Sequence, residues 1–136
     1  VLDFQPLYDG HEVRHWNLRL ASRAVVHDAE AYGLRAECAG RVLAYSGDSG
    51  PCAALVELAA ESDVFLCEAD IDRHGEGEQV HLTPEDTGDI ARKAGARELI
   101  VTHVGPTLTR DMATARAAVA FAGRTSTAFE GATRLV

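Results

Sequence analysis

Leu99-Ile100-Val101-Thr102-His103 is a short apolar run that stops on an imidazole. Three other stretches end alike. Ala24-Val25-Val26 runs into His27, Val42-Leu43-Ala44-Tyr45-Ser46-Gly47 into Asp48, and Val64-Phe65-Leu66-Cys67 into Glu68. Runs this short, rich in Val, Ile and Leu and bounded by Gly, Pro or Asp, read as strands buried on both faces. In open α/β sheets the ligand binds outside the carboxyl ends of the strands. Four such ends bring two imidazoles and two carboxylates to one sheet edge, a donor set that suits a divalent metal such as zinc.

The rest of the chain supplies the connections. Asp9-Gly10 is a turn between two strand-like stretches, 2–7 and 13–20. Residues 23–27 form a further strand, and Ala39-Gly40 is a tight hairpin between strands at 32–38 and 41–46. Ser49-Gly50-Pro51 opens a helix with Ser49 as its cap and Cys52, Leu55, Val56 and Ala59 as its apolar stripe. Residues 70–80 are acidic and Gly-rich and read as a mobile loop. Thr83-Pro84-Glu85-Asp86 has the spacing of a capping box, and that helix ends at Gly95. A third helix opens at Asp111, carries Met112, Ala115, Val119 and Ala122 on its apolar face and closes at Gly123. A short strand pair around Glu130-Gly131 ends the chain. Alternating strands and helices imply an α/β fold with a parallel sheet and right-handed crossovers.

Composition narrows the function classes. The 136 residues are 46% hydrophobic and 25% charged, as in an ordinary globular domain. The net charge of −8 disfavours nucleic acid, since a polyanion would have to approach an acidic surface. No apolar stretch approaches the roughly 20 residues of a membrane span. The 3 cysteines, Cys38, Cys52 and Cys67, are widely spaced and read as buried thiols of a reducing, cytoplasmic compartment.

Each chemical residue also has a plain structural reading. Asp48 could cap the following helix. His27 and His103 could bond loop backbone. Glu68 and His81 could form a salt bridge, or Glu68 could orient His81 and raise its pKa for work as a general acid. His11-Glu12-Val13-Arg14-His15 matches H-E-x-x-H, but that zinc-protease motif needs a helix. Here Gly10 precedes it, and Trp16, Leu18 and Leu20 alternate as in a strand. A strand separates His11 and His15 too far to chelate one ion. His74, in the acidic loop, reads as solvated.

The ordered set Val26-His27, Tyr32-Gly33-Leu34-Arg35, Tyr45-Ser46-Gly47-Asp48, Cys67-Glu68-Ala69, His81-Leu82-Thr83 and Thr102-His103 resembles the metallo-β-lactamase superfamily. It is nearest the branch of RNase Z and its phosphodiesterase-like relatives. The resemblance implies an αβ/βα sandwich, here its C-terminal half, with a mixed sheet and three main helices. It implies that His27 binds one of two zinc ions, Asp48 bridges both and His103 binds the other. It casts Glu68 and His81 as the proton-donating pair for the leaving oxygen, with a metal-bound hydroxide attacking a phosphodiester or ester.

Two departures shape the expectation. The family's first metal motif, H-x-H-x-D-H, is absent from the chain. Residues 1–136 are therefore expected to form a single partial domain that needs an N-terminal half, on the same chain or on a partner, and is inactive alone. Bare of that half, it would expose an apolar edge and could form a homo-oligomer. Where RNase Z enzymes often carry a long tRNA-binding arm, between the positions of His27 and Asp48, this chain has the Ala39-Gly40 hairpin. The expected substrate is a small phosphodiester or ester rather than tRNA. Two other classes compete: a non-catalytic binding module that kept the fold and lost the metal site, and a zinc protease built on a helical 11–15 segment.

Overall fold

Ala39 and Gly40 have φ of 50° and 77°, the positive values that a two-residue hairpin turn requires. They join β3 (Tyr32–Cys38) to β4 (Arg41–Tyr45), with Cys38 opposite Arg41. The computed structural model describes residues 4–136, and this hairpin lies inside a sheet ordered β1 to β7 in chain sequence. β1 (Glu12–His15), β2 (Leu18–Ala24), β3 and β4 are antiparallel neighbours. From β4 onward β5 (Val64–Ala69), β6 (Glu98–Val104) and β7 (Arg124–Thr127) run parallel. The sheet is thus mixed, with α1 (Ala53–Leu58), α2 (Pro84–Ala94) and α3 (Arg110–Phe121) as the crossovers.

The three helices cover one face. Ala44, Phe65, Cys67, Leu99 and Val101 of the sheet form one buried cluster with Leu55 of α1, Ile90 and Ala91 of α2, and Ala113 and Ala117 of α3. Burial pushes the Cys67 thiol far above its ordinary range, so it behaves as a small core hydrophobe. The opposite face carries Leu34, Tyr45, Leu66 and Ile100 in one register row, all only partly buried. Leu20 extends that apolar face toward β1 and is 37% exposed.

Several local expectations are corrected. Of the proposed strand 2–7, residues 2 and 3 lie outside the described residues, and 4–7 form no strand. The proposed strand 13–20 is a hairpin, β1 and β2, turning at Trp16-Asn17 with Trp16 at φ 54°. The H-E-x-x-H segment therefore lies in and beside a strand, which rules out the protease geometry. The strand toward His27 ends at Ala24, and Val26 makes one isolated bridge to Gly50. That bridge holds the chain extended past Ser49, so α1 begins later, after Cys52, and neither Ser49 nor Asp48 caps it.

α2 conforms to its reading. Thr83 and Asp86 form the reciprocal capping box, and Gly95 ends the helix at φ 67°. In the preceding loop His74 is held rather than free. Its ring nitrogens contact Gln79 Oε1 and Asp86 Oδ2, each at 2.7 Å. α3 starts one residue early, capped by Thr109, and ends on Ala122 in the left-handed region rather than on Gly123. Its expected apolar face is the outer one: Met112 is 50% and Val119 83% exposed. The segment around Glu130-Gly131 is a turn, and the last strand is β7.

The reason for the reversal in α3 is close helix approach. A Cβ built on Gly88 of α2 would run into the Ala117 carbonyl and come within 2.7 Å of Ala120 Cβ. Only small residues fit along that seam. Gly88→Ala gains about 1 kcal/mol in helix propensity. Overpacking against rigid backbone costs about 1–3 kcal/mol. The variant is expected to melt at a lower temperature than the parent, measured by circular dichroism.

Candidate functional site

The carboxyl ends of β4, β5 and β6 and the loops at 26–27 and 79–82 meet at one edge. Gly50 donates its N–H to the Val26 carbonyl at 2.6 Å, pinning the loop after β4 beneath His27. A Cβ on Gly50 would collide with the Gln79 carbonyl, so glycine is required where the third loop crosses. The chain from Ser46 to Gly50 is thereby clamped between the loops that carry His27 and His81.

Glu68 organises the site from below. Its side chain is fully buried. One oxygen accepts the Ser49 N–H at 2.7 Å and contacts His81 Nδ1 at 2.9 Å. The other accepts from the Asp70 N–H at 3.2 Å and the Leu82 N–H at 3.1 Å. A carboxylate is acceptor-only when ionised, so Nδ1 of His81 carries a proton and Nε2 is the nitrogen left for chemistry. Burial of the His81 ring pulls its pKa down. The hydrogen bond that His81 donates to Glu68 and the charges of Glu68, Asp70 and Asp48 outweigh this, and the net shift is upward.

His103 is aimed by a defect in the ladder. Glu68 pairs with Thr102 and Ala69 with Val104, so His103 is an extra, unpaired residue between them. It adopts φ of 42°, an uncommon conformation for a side chain branched into a ring. Bulges of this kind re-aim side chains beside functional sites. The result is a contact of 2.7 Å between His103 Nδ1 and Asp48 Oδ1 at the exposed rim.

His81 stands between the two other imidazoles. Its ring centroid is 5.0 Å from that of His27 and 5.5 Å from that of His103, both edge-on. The structure thus gathers His27, Asp48, Glu68, His81 and His103 at one edge. His27 Nδ1 lies 2.8 Å from Asp28 Oδ1 and 3.2 Å from the Ala29 N–H. These two contacts require opposite tautomers.

A donor set for metal exists here. Ligand-type atoms of Glu68, His81 and His103 lie within 4.8 Å of one another. Glu68, however, already meets four donors and has no lone-pair direction left for a cation. Its chemistry is that of an anchor. The residues that fit a divalent metal are His27, Asp48 and His103, two imidazoles and a rim carboxylate.

One neighbour was not legible as a site residue. Asp70 sits two residues after Glu68. Its Oδ1 is 3.7 Å from His103 Nε2 and its Oδ2 4.0 Å from His81 Nε2. It reads in the sequence as the first residue of an acidic loop. Its spacing from Glu68 at a strand end is the signal that could have singled it out. His11 and His15 lie apart from the cluster, stacked on Tyr8 and Trp16.

Comparison with known proteins gives the lineage. Residues 7–104 match the family model described as a beta-lactamase superfamily domain. An uncharacterized protein of Mycobacterium leprae (strain TN) is 37% identical over 135 residues, covering 98% of this chain and 48% of that protein. A ribonuclease Z of Bacillus licheniformis is 35% identical over 104 residues, covering 74% of this chain and 32% of that enzyme. The crystal structure of the metallo-beta-lactamase fold protein YhfI from Bacillus subtilis superposes with a TM-score of 0.81 at 23% identity. That match covers 92% of this chain and 50% of YhfI. The chain spans about half the length of the first relatives it matches.

The four donors around Glu68 set a stability prediction. Glu68→Ala leaves three backbone N–H groups and His81 Nδ1 without their acceptor. Breaking a buried charged network in this way costs about 3–5 kcal/mol. Denaturant unfolding of parent and variant measures it, and a loss under about 1 kcal/mol would contradict the anchoring role.

Proposed function

The chain belongs to the metallo-β-lactamase superfamily, and from that premise we propose that it is part of a metal-dependent hydrolase of a small phosphodiester or ester. The observation that carries this reading is the convergence of three imidazoles and the Asp48 carboxylate on the carboxyl edge of the parallel strands. His27, Asp48 and His103 are the residues of this chain that would hold zinc. A bound metal pair would supply an activated water and charge stabilisation for the reacting ester.

His81 is the proton donor to the leaving oxygen. Its Nδ1 is held by Glu68, which fixes the ring and favours its protonated form. Its Nε2 faces the gap beside His103 and Asp70. Glu68 acts only through His81 and the loop amides, as a positioning residue. A protonated imidazole matched to near-neutral pH is effective in general acid catalysis.

The β3–β4 connection supports a small substrate. The hairpin turns on two residues and offers no arm that could grip a large RNA. The net charge of −8 works in the same direction. A small diester or ester fits better than tRNA, although a ribonuclease Z is among the relatives.

The domain is a half. The row Leu34, Tyr45, Leu66 and Ile100 is an apolar sheet face only partly covered among the described residues. Relatives are about twice as long. The additional length packs on that face and completes the metal ligands, since three donors cannot fill two sites of four or more.

Two measurements test these readings. In the full-length protein His81→Ala lowers turnover of a small diester by roughly 10² to 10⁴, with zinc content unchanged; loss of zinc would make His81 a ligand instead. Residues 1–136 expressed alone are expected to self-associate and to hold fewer than two zinc ions per chain. A soluble monomer with two bound ions would overturn the half-domain reading.

A further inference from the structure

Asp70 is held in place by its backbone contacts. Its N–H is bonded to Glu68, and its carbonyl and Oδ1 lie where a Cβ on Gly105 would be. Gly105 is thus the residue that lets β5 and β6 approach closely enough to fix Asp70 at the site. Its carboxylate is 23% exposed and is split between two rings, one oxygen toward His103 Nε2 and the other toward His81 Nε2. Neither distance, 3.7 nor 4.0 Å, is a hydrogen bond. The carboxylate therefore borders the space in front of both nitrogens rather than being spent on them.

The chain's own charged groups around Asp70 are one-sided, apart from any metal held by His27, Asp48 and His103. Among the described residues, the ion-pair partners of Asp48, Glu68 and Asp70 are all histidines. Arg116 is engaged with Asp72 and Glu85 and Arg110 with Glu130, while Arg73, three residues along the loop, is exposed and makes no ion pair with Asp70. Among the described residues no lysine or arginine lies within ion-pair distance of Asp70. An atom that takes a proton from His81 Nε2 must come within about 2.6–3.2 Å of it. That position is also beside Asp70 Oδ2. A negative oxygen there is repelled, whereas an O–H or N–H is accepted.

Resting on the hydrolase reading above, we propose that Asp70 is a specificity residue that selects substrates by charge. It disfavours a doubly negative phosphoryl group, as in a phosphate monoester or free phosphate. It favours a singly charged diester or neutral ester whose leaving group brings a hydroxyl or amino donor. The Asp70 charge also helps hold His81 protonated, an effect common to both esters, so the charge selection is read from the diester-to-monoester ratio and from phosphate binding rather than from the rate on one ester.

The experiment compares the full-length, metal-loaded protein with its Asp70→Asn variant, which keeps the shape and removes the charge. Hydrolysis of bis(4-nitrophenyl) phosphate and of 4-nitrophenyl phosphate gives the diester-to-monoester ratio of kcat/KM. Calorimetric titration with inorganic phosphate gives a readout that needs no turnover. The ratio is expected to fall and phosphate affinity to rise, each by about tenfold, the scale for removing one like charge at this separation. Metal content is expected to stay the same. Unchanged phosphate affinity overturns the proposal, and so does loss of metal, which would make Asp70 a ligand. A parent protein that cleaves neither ester overturns the hydrolase reading, while the phosphate titration still decides the charge role of Asp70.

Discussion

The site depends on one buried carboxylate. Desolvating an ionised Glu68 costs several kcal/mol, and such a group survives in a core only with a full set of partners. It has them. Both carboxylate oxygens are doubly contacted, its N–H is bonded to Ser46 Oγ, and its carbonyl accepts from Thr87 Oγ1. These partners come from the loop after β4, the end of β5 and the entrance to α2. Three segments far apart in sequence are therefore fixed relative to one another by a single side chain. The capping box of Thr83 and Asp86 then sets where α2 begins, and with it the angle at which His81 enters the site.

Backbone conformation sharpens what Glu68 positions. His103 in the left-handed region, opposite no partner residue, stores about 1–3 kcal/mol of local strain. The surrounding parallel ladder has to hold it there. Gly50 and Gly105 lie where other backbones cross at contact distance, each beside the site rather than in the core. Two glycines and one bulge thus convert a regular sheet edge into a set of converging side chains. The regular part of the sheet supplies the stability that the irregular edge consumes.

The legible and illegible parts of this protein divide along physical lines. β3 and α2 were readable because local chemistry fixes them: a two-residue turn at Ala39-Gly40, a capping box at Thr83, a left-handed glycine at Gly95. The meeting of Asp48, Glu68 and His103 at one edge was readable because each lies at or just past the carboxyl end of a core strand, whereas His27 sits in a loop beyond β2 and reaches that edge through the Val26–Gly50 bridge. The face of α3 was misread because hydrophobicity was the wrong signal there. Where α3 meets Gly88, the seam accepts alanines and rejects larger side chains, so Met112 and Val119 turn outward. The start of α1 was misread because a tertiary bridge, Val26 to Gly50, overrides the local signals of Ser49 and Pro51. Asp70 was passed over because its role depends on two imidazoles from other segments.

The sheet itself explains why proton donor and ligands can share an edge without sharing a function. Glu68 and His81 belong to the buried side of the site, where a carboxylate can be saturated by amides and made unavailable to a cation. Asp48 and His103 lie at the rim, 43% and 39% exposed, where their remaining donor atoms stay free. Burial thus sorts two chemically similar carboxylate–imidazole pairs into different tasks. In the proposed reading the buried pair would hold a proton and the exposed pair would stay open to a metal. Beside them Leu34, Tyr45, Leu66 and Ile100 form a face too apolar to be a resting surface. In the half-domain reading proposed above, the segment that covers this face would approach the rim pair from its open side and could bring further ligands there.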